Sequence, residues 1–76
     1  MKRKEFAEFA LNLLSERKGR ANALTPGQIN DELYRRSKRA VEPSTASQMM
    51  IILRKEKLVK RHQPGHSKST FYYWID

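Results

Sequence analysis

Apolar residues recur at helical spacing near the start of the chain. Within residues 5–18 they occupy positions i, i+3, i+4, i+7 and i+8: Phe6, Phe9, Ala10, Leu13 and Leu14. This single stripe is typical of an amphipathic helix that packs on a core and turns its charged residues to water. We predict a first helix over 5–18, ended by Gly19 in a left-handed conformation.

The segment that follows carries a nearly complete set of helix start signals. Thr25 can be the N-cap, Pro26 the first helical residue and Gln28 the partner that closes a capping box. We therefore predict a second helix from Pro26 to about Arg36. Its inward positions at helical spacing are Ile29 and Leu33.

A third helix is predicted over about 44–56, after the connection that Pro43 closes. Ser44 or Thr45 is the predicted N-cap, and Thr45 to Gln48 repeats the capping-box spacing. One face of this helix is apolar, so we expect it to lie on the core: Ala46, Met49, Met50 and Leu53.

The opposite face of the third helix differs from an ordinary solvated face, where Glu and Lys dominate. It carries small hydroxyls, an amide, two isoleucines and a lysine: Ser44, Gln48, Ile51 and Lys55, flanked by Thr45, Ser47 and Ile52. We expect one of the two isoleucines to belong to the core. The rest of the face has a composition that suits contact with a partner.

Two strands are predicted near the end of the chain, over Leu58–His62 and Thr70–Ile75, because β-branched and aromatic residues are concentrated there. The polar segment between them contains Pro64-Gly65, which marks a turn. Alternation along the last strand separates two faces, Phe71, Tyr73 and Ile75 on one and Tyr72 and Trp74 on the other. A very short strand is also expected at Ala23 and Leu24.

Length and charge narrow the class of protein. The chain has 76 residues, which allows one domain, and its 16 Lys and Arg against 8 Asp and Glu give a net charge of +8. Such a surface favours a polyanion as partner, although small basic proteins also bind anionic membranes and other proteins. The basic residues form three clusters, at 2–4, 35–39 and 54–61.

Several classes of protein are excluded by what the chain contains. The longest apolar run, Met49 to Leu53, is far short of the roughly 20 residues of a transmembrane helix. No apolar segment follows the charged start, so no signal peptide is predicted. There is no Cys, and therefore no disulfide framework, thiol nucleophile or Cys-based zinc finger.

The predicted order of elements resembles the winged helix-turn-helix family, as found in small prokaryotic, viral or plasmid-type transcriptional regulators. Thr45–Leu53 is similar to the recognition helix of that family, Leu53–Arg61 to the junction into the wing, and Phe71–Ile75 to the closing strand. Lys57 stands where the family usually has Gly, so its backbone is expected to be left-handed or the helix to end differently. The connection over 36–43 is longer than the usual tight turn.

The resemblance implies a fold and a function. The fold is α+β, one winged-helix domain over 1–76 with three helices and a C-terminal wing of two to three strands. The implied function is sequence-preferring binding of double-stranded DNA in the cytoplasm, as a transcription regulator, with helix 44–56 in the major groove and wing 60–70 on the backbone or minor groove. The alternatives are a protein-binding or RNA-binding winged helix and a nonspecific architectural DNA binder.

Candidate contacts follow from this reading. Small side chains at Ser44, Thr45 and Ser47 permit close approach, and Gln48 can bind adenine unless it serves as the capping-box partner of Thr45. Ile51 suits a thymine methyl. The remaining candidates are cations and a histidine placed for phosphates or the wing: Arg54, Lys55, Lys60, Arg61, His66 and Lys68. The run 35–39 is read as phosphate contact or as solvated surface.

Catalysis, cofactors and metals have no support in the sequence. No nucleophile is paired with a base, and His62 and His66 are separated by a strand and a turn rather than placed on one helix face. Tyr72 and Trp74 are left on the second face of the last strand, where they could pack on the first helix, face DNA or meet a second chain. From them we predict a weak homodimer that becomes firmer on DNA.

Overall fold

The computed structural model describes residues 1–65 and 70–76. Over these residues the fold is α+β, with three α-helices and a two-stranded antiparallel sheet, and it is compatible with a winged-helix layout. The elements are α1 (Arg3–Glu16), α2 (Pro26–Ser37), α3 (Pro43–Lys55), β1 (Lys60–His62) and β2 (Tyr72–Trp74), with a short 3-10 turn at Arg20–Asn22. In this part of the chain, none of the helices has the length and apolar composition of a membrane span.

A single core joins the three helices to the hairpin. The predicted inward positions of α2 and α3 are all buried, and those of α1 are buried except Phe9, which lies half-buried at the edge of the core. Val59 and Tyr73 bring the hairpin onto this core, and Tyr73 is only 1% exposed. The helical periodicity therefore identified the packing faces correctly.

Leu24 pairs with β2 through an isolated antiparallel β-bridge to Tyr73. Its N–H donates to the carbonyl of Tyr73 over 2.9 Å, and the N–H of Tyr73 donates back to the carbonyl of Leu24 over 2.8 Å. The short strand predicted before α2 is thus present as an isolated bridge at Leu24. This bridge ties the start of α2 to the hairpin.

The bounds predicted for α1 were wrong by two residues at each end, since it begins at Arg3 and ends at Glu16. Gly19 is not a left-handed helix stop. Its φ of 105° and ψ of 157° place it in a region open mainly to glycine, and its N–H donates to the carbonyl of Ile75 over 2.8 Å. This hydrogen bond ties the segment after α1 to the residue that follows β2.

The predicted start of α2 is confirmed. Thr25 Oγ1 accepts a hydrogen bond from the N–H of Gln28 over 3.1 Å, and Gln28 Oε1 accepts one from the N–H of Thr25 over 3.0 Å. Pro26 is the first helical residue, and the helix ends at Ser37, one residue beyond the predicted end.

The predicted cap of α3 was wrong. The helix begins at Pro43, Glu42 is the N-cap without a side-chain cap bond, and neither Ser44 nor Thr45 occupies the capping position. Proline at the first helical position has a backbone angle already suited to the helix and no N–H that needs a partner. The helix therefore starts at residue 43, one residue before the predicted start at 44.

The end of α3 explains why β1 is shorter than predicted. Lys57 has a φ of 63°, so the left-handed backbone expected at this position is confirmed. The N–H of Lys57 donates to Arg54 and that of Leu58 to Leu53, each over 3.0 Å, which is the Schellman pattern of helix endings. Leu58 thus belongs to the helix end, and β1 begins only at Lys60; β2 is likewise shorter than the predicted 70–75.

Candidate nucleic-acid interface

The outward face of α3 is exposed to solvent. Ile51 is 38% and Ile52 41% exposed, so the expectation that one of them is buried in the core was wrong. The four inward residues of α3 already fill its contact with α1 and α2, which leaves no core position for either. Exposed side chains on this face include Ser44, Ser47, Gln48 and Lys55.

Gln48 is not engaged in helix capping. Because α3 begins at Pro43, Thr45 is inside the first turn and the capping-box geometry is absent. Among the described residues, the Gln48 amide has no hydrogen-bond partner and remains available to a ligand.

An open groove runs between α2, α3 and the hairpin. It brings Ser47 and Ile51 of α3 opposite Phe71, with the start of α2 forming its other wall. Asp31 is an acidic residue on the α2 wall. Thr45 does not face this groove, since it is half-buried and lines a shallow depression with Met1, Arg3 and 40–42 on another side of α3.

A second depression lies where α3 passes into β1, and we call it the basic depression. Five of its lining residues are cationic and two are apolar: Arg54, Lys55, Lys57, Lys60, Arg61, Val59 and Trp74. It therefore brings together four of the predicted site residues and adds Lys57 and Trp74, which the sequence analysis did not assign to the site. Lys57 could have been found from the 54–61 cluster, whereas alternation along the last strand left contact with DNA as one of three possible uses of Trp74.

The cations of the basic depression differ in their partners. Lys60 forms an ion pair with Asp76, and this hydrogen bond, with a weaker one from Trp74 Nε1 over 3.2 Å, lowers the pKa of the Asp76 carboxyl. The Arg61 guanidinium lies 4.0 Å from the centre of the Phe71 ring. In the described part of the chain, no acidic partner is found for Arg54, Lys55 or Lys57.

The basic cluster at 35–39 is mostly neutralised within the chain. Arg35 pairs with Glu32, and Arg36 pairs with both Glu32 and Glu16. Hydrogen bonds from Arg35, and next from Arg36, lower the pKa of Glu32 to about 2. Arg39 also pairs with an acid of α1, so of the basic clusters at 35–39 and 54–61 the second keeps more of its positive charge unpaired among the described residues.

The outer face of the hairpin carries contacting rings. In the register of the sheet, His62 lies opposite Tyr72 and Lys60 opposite Trp74. The ring centres of His62 and Tyr72 are 5.7 Å apart and nearly parallel, and those of His62 and Trp74 are 5.4 Å apart at a steep angle. Tyr72 and Trp74 thus pack on a residue of their own hairpin, and the predicted homodimer stays a prediction because the structure contains one chain.

Two predicted site residues, His66 and Lys68, lie outside the described residues, as does the tip of the predicted wing. Within the described ranges, no group of three His, Asp or Glu side chains is placed to hold a metal ion. No protein-family model, curated protein or solved structure matches this chain.

Proposed function

We propose that this protein is a winged-helix regulator of transcription that binds double-stranded DNA with sequence preference, with α3 in the major groove. The observation that carries the proposal is the outward face of α3, which is exposed and holds no acidic residue between Glu42 and Glu56 at its two ends. An acidic or buried face would have favoured a protein-binding module.

The chemistry of that face fits base edges. The major groove of B-DNA is about 12 Å wide and admits one α-helix. Ser44 and Ser47 allow close approach because their side chains are short, and the free amide of Gln48 can bind N6 and N7 of adenine together. Ile51 offers an apolar surface for a thymine methyl.

The cations support contact with the DNA backbone. Arg54 and Lys55 lie on the last turn of α3, and Lys57 follows two residues after Lys55. With α3 in the groove, we expect all three to lie near its edge. Since they have no acidic partner among the described residues, their charge is available to phosphates. Arg61, on β1, extends this charge into the predicted wing.

Selection of bound duplexes from a random pool tests the proposal. We expect one sequence to be enriched, with A·T base pairs at the position read by Gln48. Enrichment of no sequence, with equal affinity for every duplex, would indicate an architectural binder instead. Absence of duplex binding at low salt would refute the proposal altogether.

On the selected duplex, the Gln48→Ala variant should lose about 1–3 kcal/mol of binding free energy and no longer discriminate at one base pair. Asn12→Ala is the matched control, because Asn12 is an exposed amide on α1. If Gln48→Ala bound every duplex as tightly as the control does, α3 would not be the reading element.

A further inference from the structure

The hairpin has one face that packs on the core and an outer face on the opposite side of the sheet. Three of the four side chains on this outer face are aromatic rings. Its side chains share one side of the sheet by register: Lys60, His62, Tyr72 and Trp74. Each of the three rings is half-buried, so each keeps part of its surface accessible. The His62 ring contacts both the Tyr72 and the Trp74 rings, so the three rings form one connected aromatic cluster on this face.

Cations border this aromatic surface on two sides. The Arg20 guanidinium lies 5.9 Å from the centre of the Trp74 ring. On the other side, Trp74 is itself a wall of the basic depression, next to Arg54, Lys55 and Lys57. Trp74 therefore joins the aromatic surface to a depression in which three cations have no acidic partner among the described residues.

We propose that the outer face of the hairpin binds single-stranded nucleic acid, with bases stacked on Tyr72 and Trp74 and the phosphates held by the basic depression. A single strand exposes both the faces of its bases and its phosphates, whereas a duplex hides the base faces in its own stack. A single strand can therefore use both the accessible part of these rings and the cations of the basic depression. An acidic peptide would use the cations alone.

This proposal does not depend on the proposed function, although the two share cations. Duplex binding needs the outward face of α3 and its Gln48, whereas single-strand binding needs the rings of the hairpin. Asp76 opposes single-strand binding, because its carboxylate lies beside Lys60 and Trp74 and repels a phosphate. Replacing Asp76 should therefore strengthen binding of a single strand.

The experiment uses the full chain and an oligothymidylate of about ten nucleotides, within the usual site size of such surfaces. Trp74 is the only tryptophan in the sequence, so its fluorescence reports directly on this face. We expect the oligonucleotide to quench Trp74, and Tyr72→Ala to weaken binding roughly 5- to 150-fold. The Tyr72→Leu variant, which keeps apolar bulk but no ring face, should lose affinity in the same direction while circular dichroism shows an unchanged fold.

Two control variants and one gain-of-affinity variant distinguish single-strand binding by the hairpin from duplex binding by α3. Tyr34→Ala removes an exposed tyrosine on α2 and should leave single-strand binding unchanged. Gln48→Ala should leave it unchanged as well, while weakening the selected duplex. Asp76→Asn should tighten single-strand binding about 2- to 5-fold at low salt, because one repulsive charge is removed.

The proposal is overturned if the oligonucleotide leaves Trp74 fluorescence unchanged, or if Tyr72→Leu binds as tightly as the wild type. It is also overturned if sedimentation shows a stable dimer that Tyr72→Leu dissociates, because a second chain would then cover the rings. Quenching by single strands without any duplex binding would support this proposal and refute the proposed function.

Discussion

The side-chain amide of Asn30 forms two hydrogen bonds with the backbone of Val41, eleven residues later in the chain. Asn30 Nδ2 donates to the Val41 carbonyl over 2.8 Å, and the N–H of Val41 donates to Asn30 Oδ1 over 3.0 Å. These bonds hold the connection between α2 and α3 against α2. The direction in which α3 leaves that connection, and hence the position of its outward face, depends on this side chain.

Asn30→Ala should lower the free energy of unfolding by about 1–3 kcal/mol, because two partly buried backbone groups lose their partner. Urea denaturation followed by circular dichroism measures the change. Asn12→Ala, at an exposed position of α1, is the control and should change stability by less than about 0.5 kcal/mol. Equal stability of the two variants would mean that the α2–α3 connection is held by other contacts.

The fold could be predicted from the sequence where signals are local. Thr25 and Gln28 are three residues apart, so their capping box could be predicted from the sequence. The apolar stripes of the helices likewise predicted the core. The start of α3 differs from the prediction because Pro43, whose fixed backbone suits the first helical position, begins the helix before the hydroxyl residues Ser44 and Thr45. The Asn30–Val41 bonds cannot be foreseen, since they depend on how α2 and its following connection meet in space.

Lys57 gives a test of backbone strain. A non-glycine residue in the left-handed region is disfavoured by contact between its Cβ and the backbone, so Lys57→Gly should stabilise the fold by about 1 kcal/mol. Lys55 is helical, and Lys55→Gly should instead destabilise it by about 1 kcal/mol. Thermal unfolding of both variants measures the difference. A loss of stability in Lys57→Gly would show that the lysine side chain makes a larger contribution than its backbone strain removes.

The ion pairs of Glu32 predict how stability depends on pH. The pKa of Glu32 in the folded protein is lowered to about 2, from an ordinary value near 4.5. A carboxyl with a lowered folded pKa stabilises the fold above its unfolded pKa, and this contribution disappears as pH falls from about 4.5 toward 2. Melting temperatures should therefore drop over this range, and Glu32→Gln should make the drop smaller.

Glu8→Gln is the matched control for the pH series, because Glu8 is an exposed carboxyl of α1 that has no ion pair among the described residues. Its melting curve should follow the wild type between pH 2 and about 5. If Glu8→Gln and Glu32→Gln changed the pH profile equally, the Arg35 and Arg36 pairs would not be responsible.

Only part of the candidate site could be predicted from the sequence. The sequence contains basic clusters at both 54–61 and 35–39, and for the second it leaves contact with phosphates and a solvated surface open. The two clusters differ in the structure, because Arg36 meets Glu16 across 20 residues of sequence, with an N–O distance of 2.8 Å. Pairing of this kind requires the packing of α1 against α2, which no local pattern contains. Trp74 joined the site for the same reason, through the register of the hairpin.

The difference between paired and unpaired cations leads to the last prediction. Each phosphate neutralised by a cation contributes about −0.9 to the slope of log K against log salt for B-DNA. Lys55 lies in the basic depression without an acidic partner among the described residues, so Lys55→Ala should weaken all duplexes about equally and make the slope shallower by about one. Alanine suits the helix, so the fold should be retained.

Arg39→Ala is the matched comparison, because Arg39 is also exposed but pairs with Glu5, its nitrogen lying 3.2 Å from the carboxylate oxygen. Because Arg39 lies on the α2–α3 connection and is paired within the chain, we expect it to neutralise no phosphate, and this variant should retain the wild-type slope. Duplex affinity measured from about 50 to 200 mM salt gives both slopes. A shallower slope in Arg39→Ala, with Lys55→Ala unchanged, would place the phosphates along the 35–39 segment and move the DNA away from the end of α3.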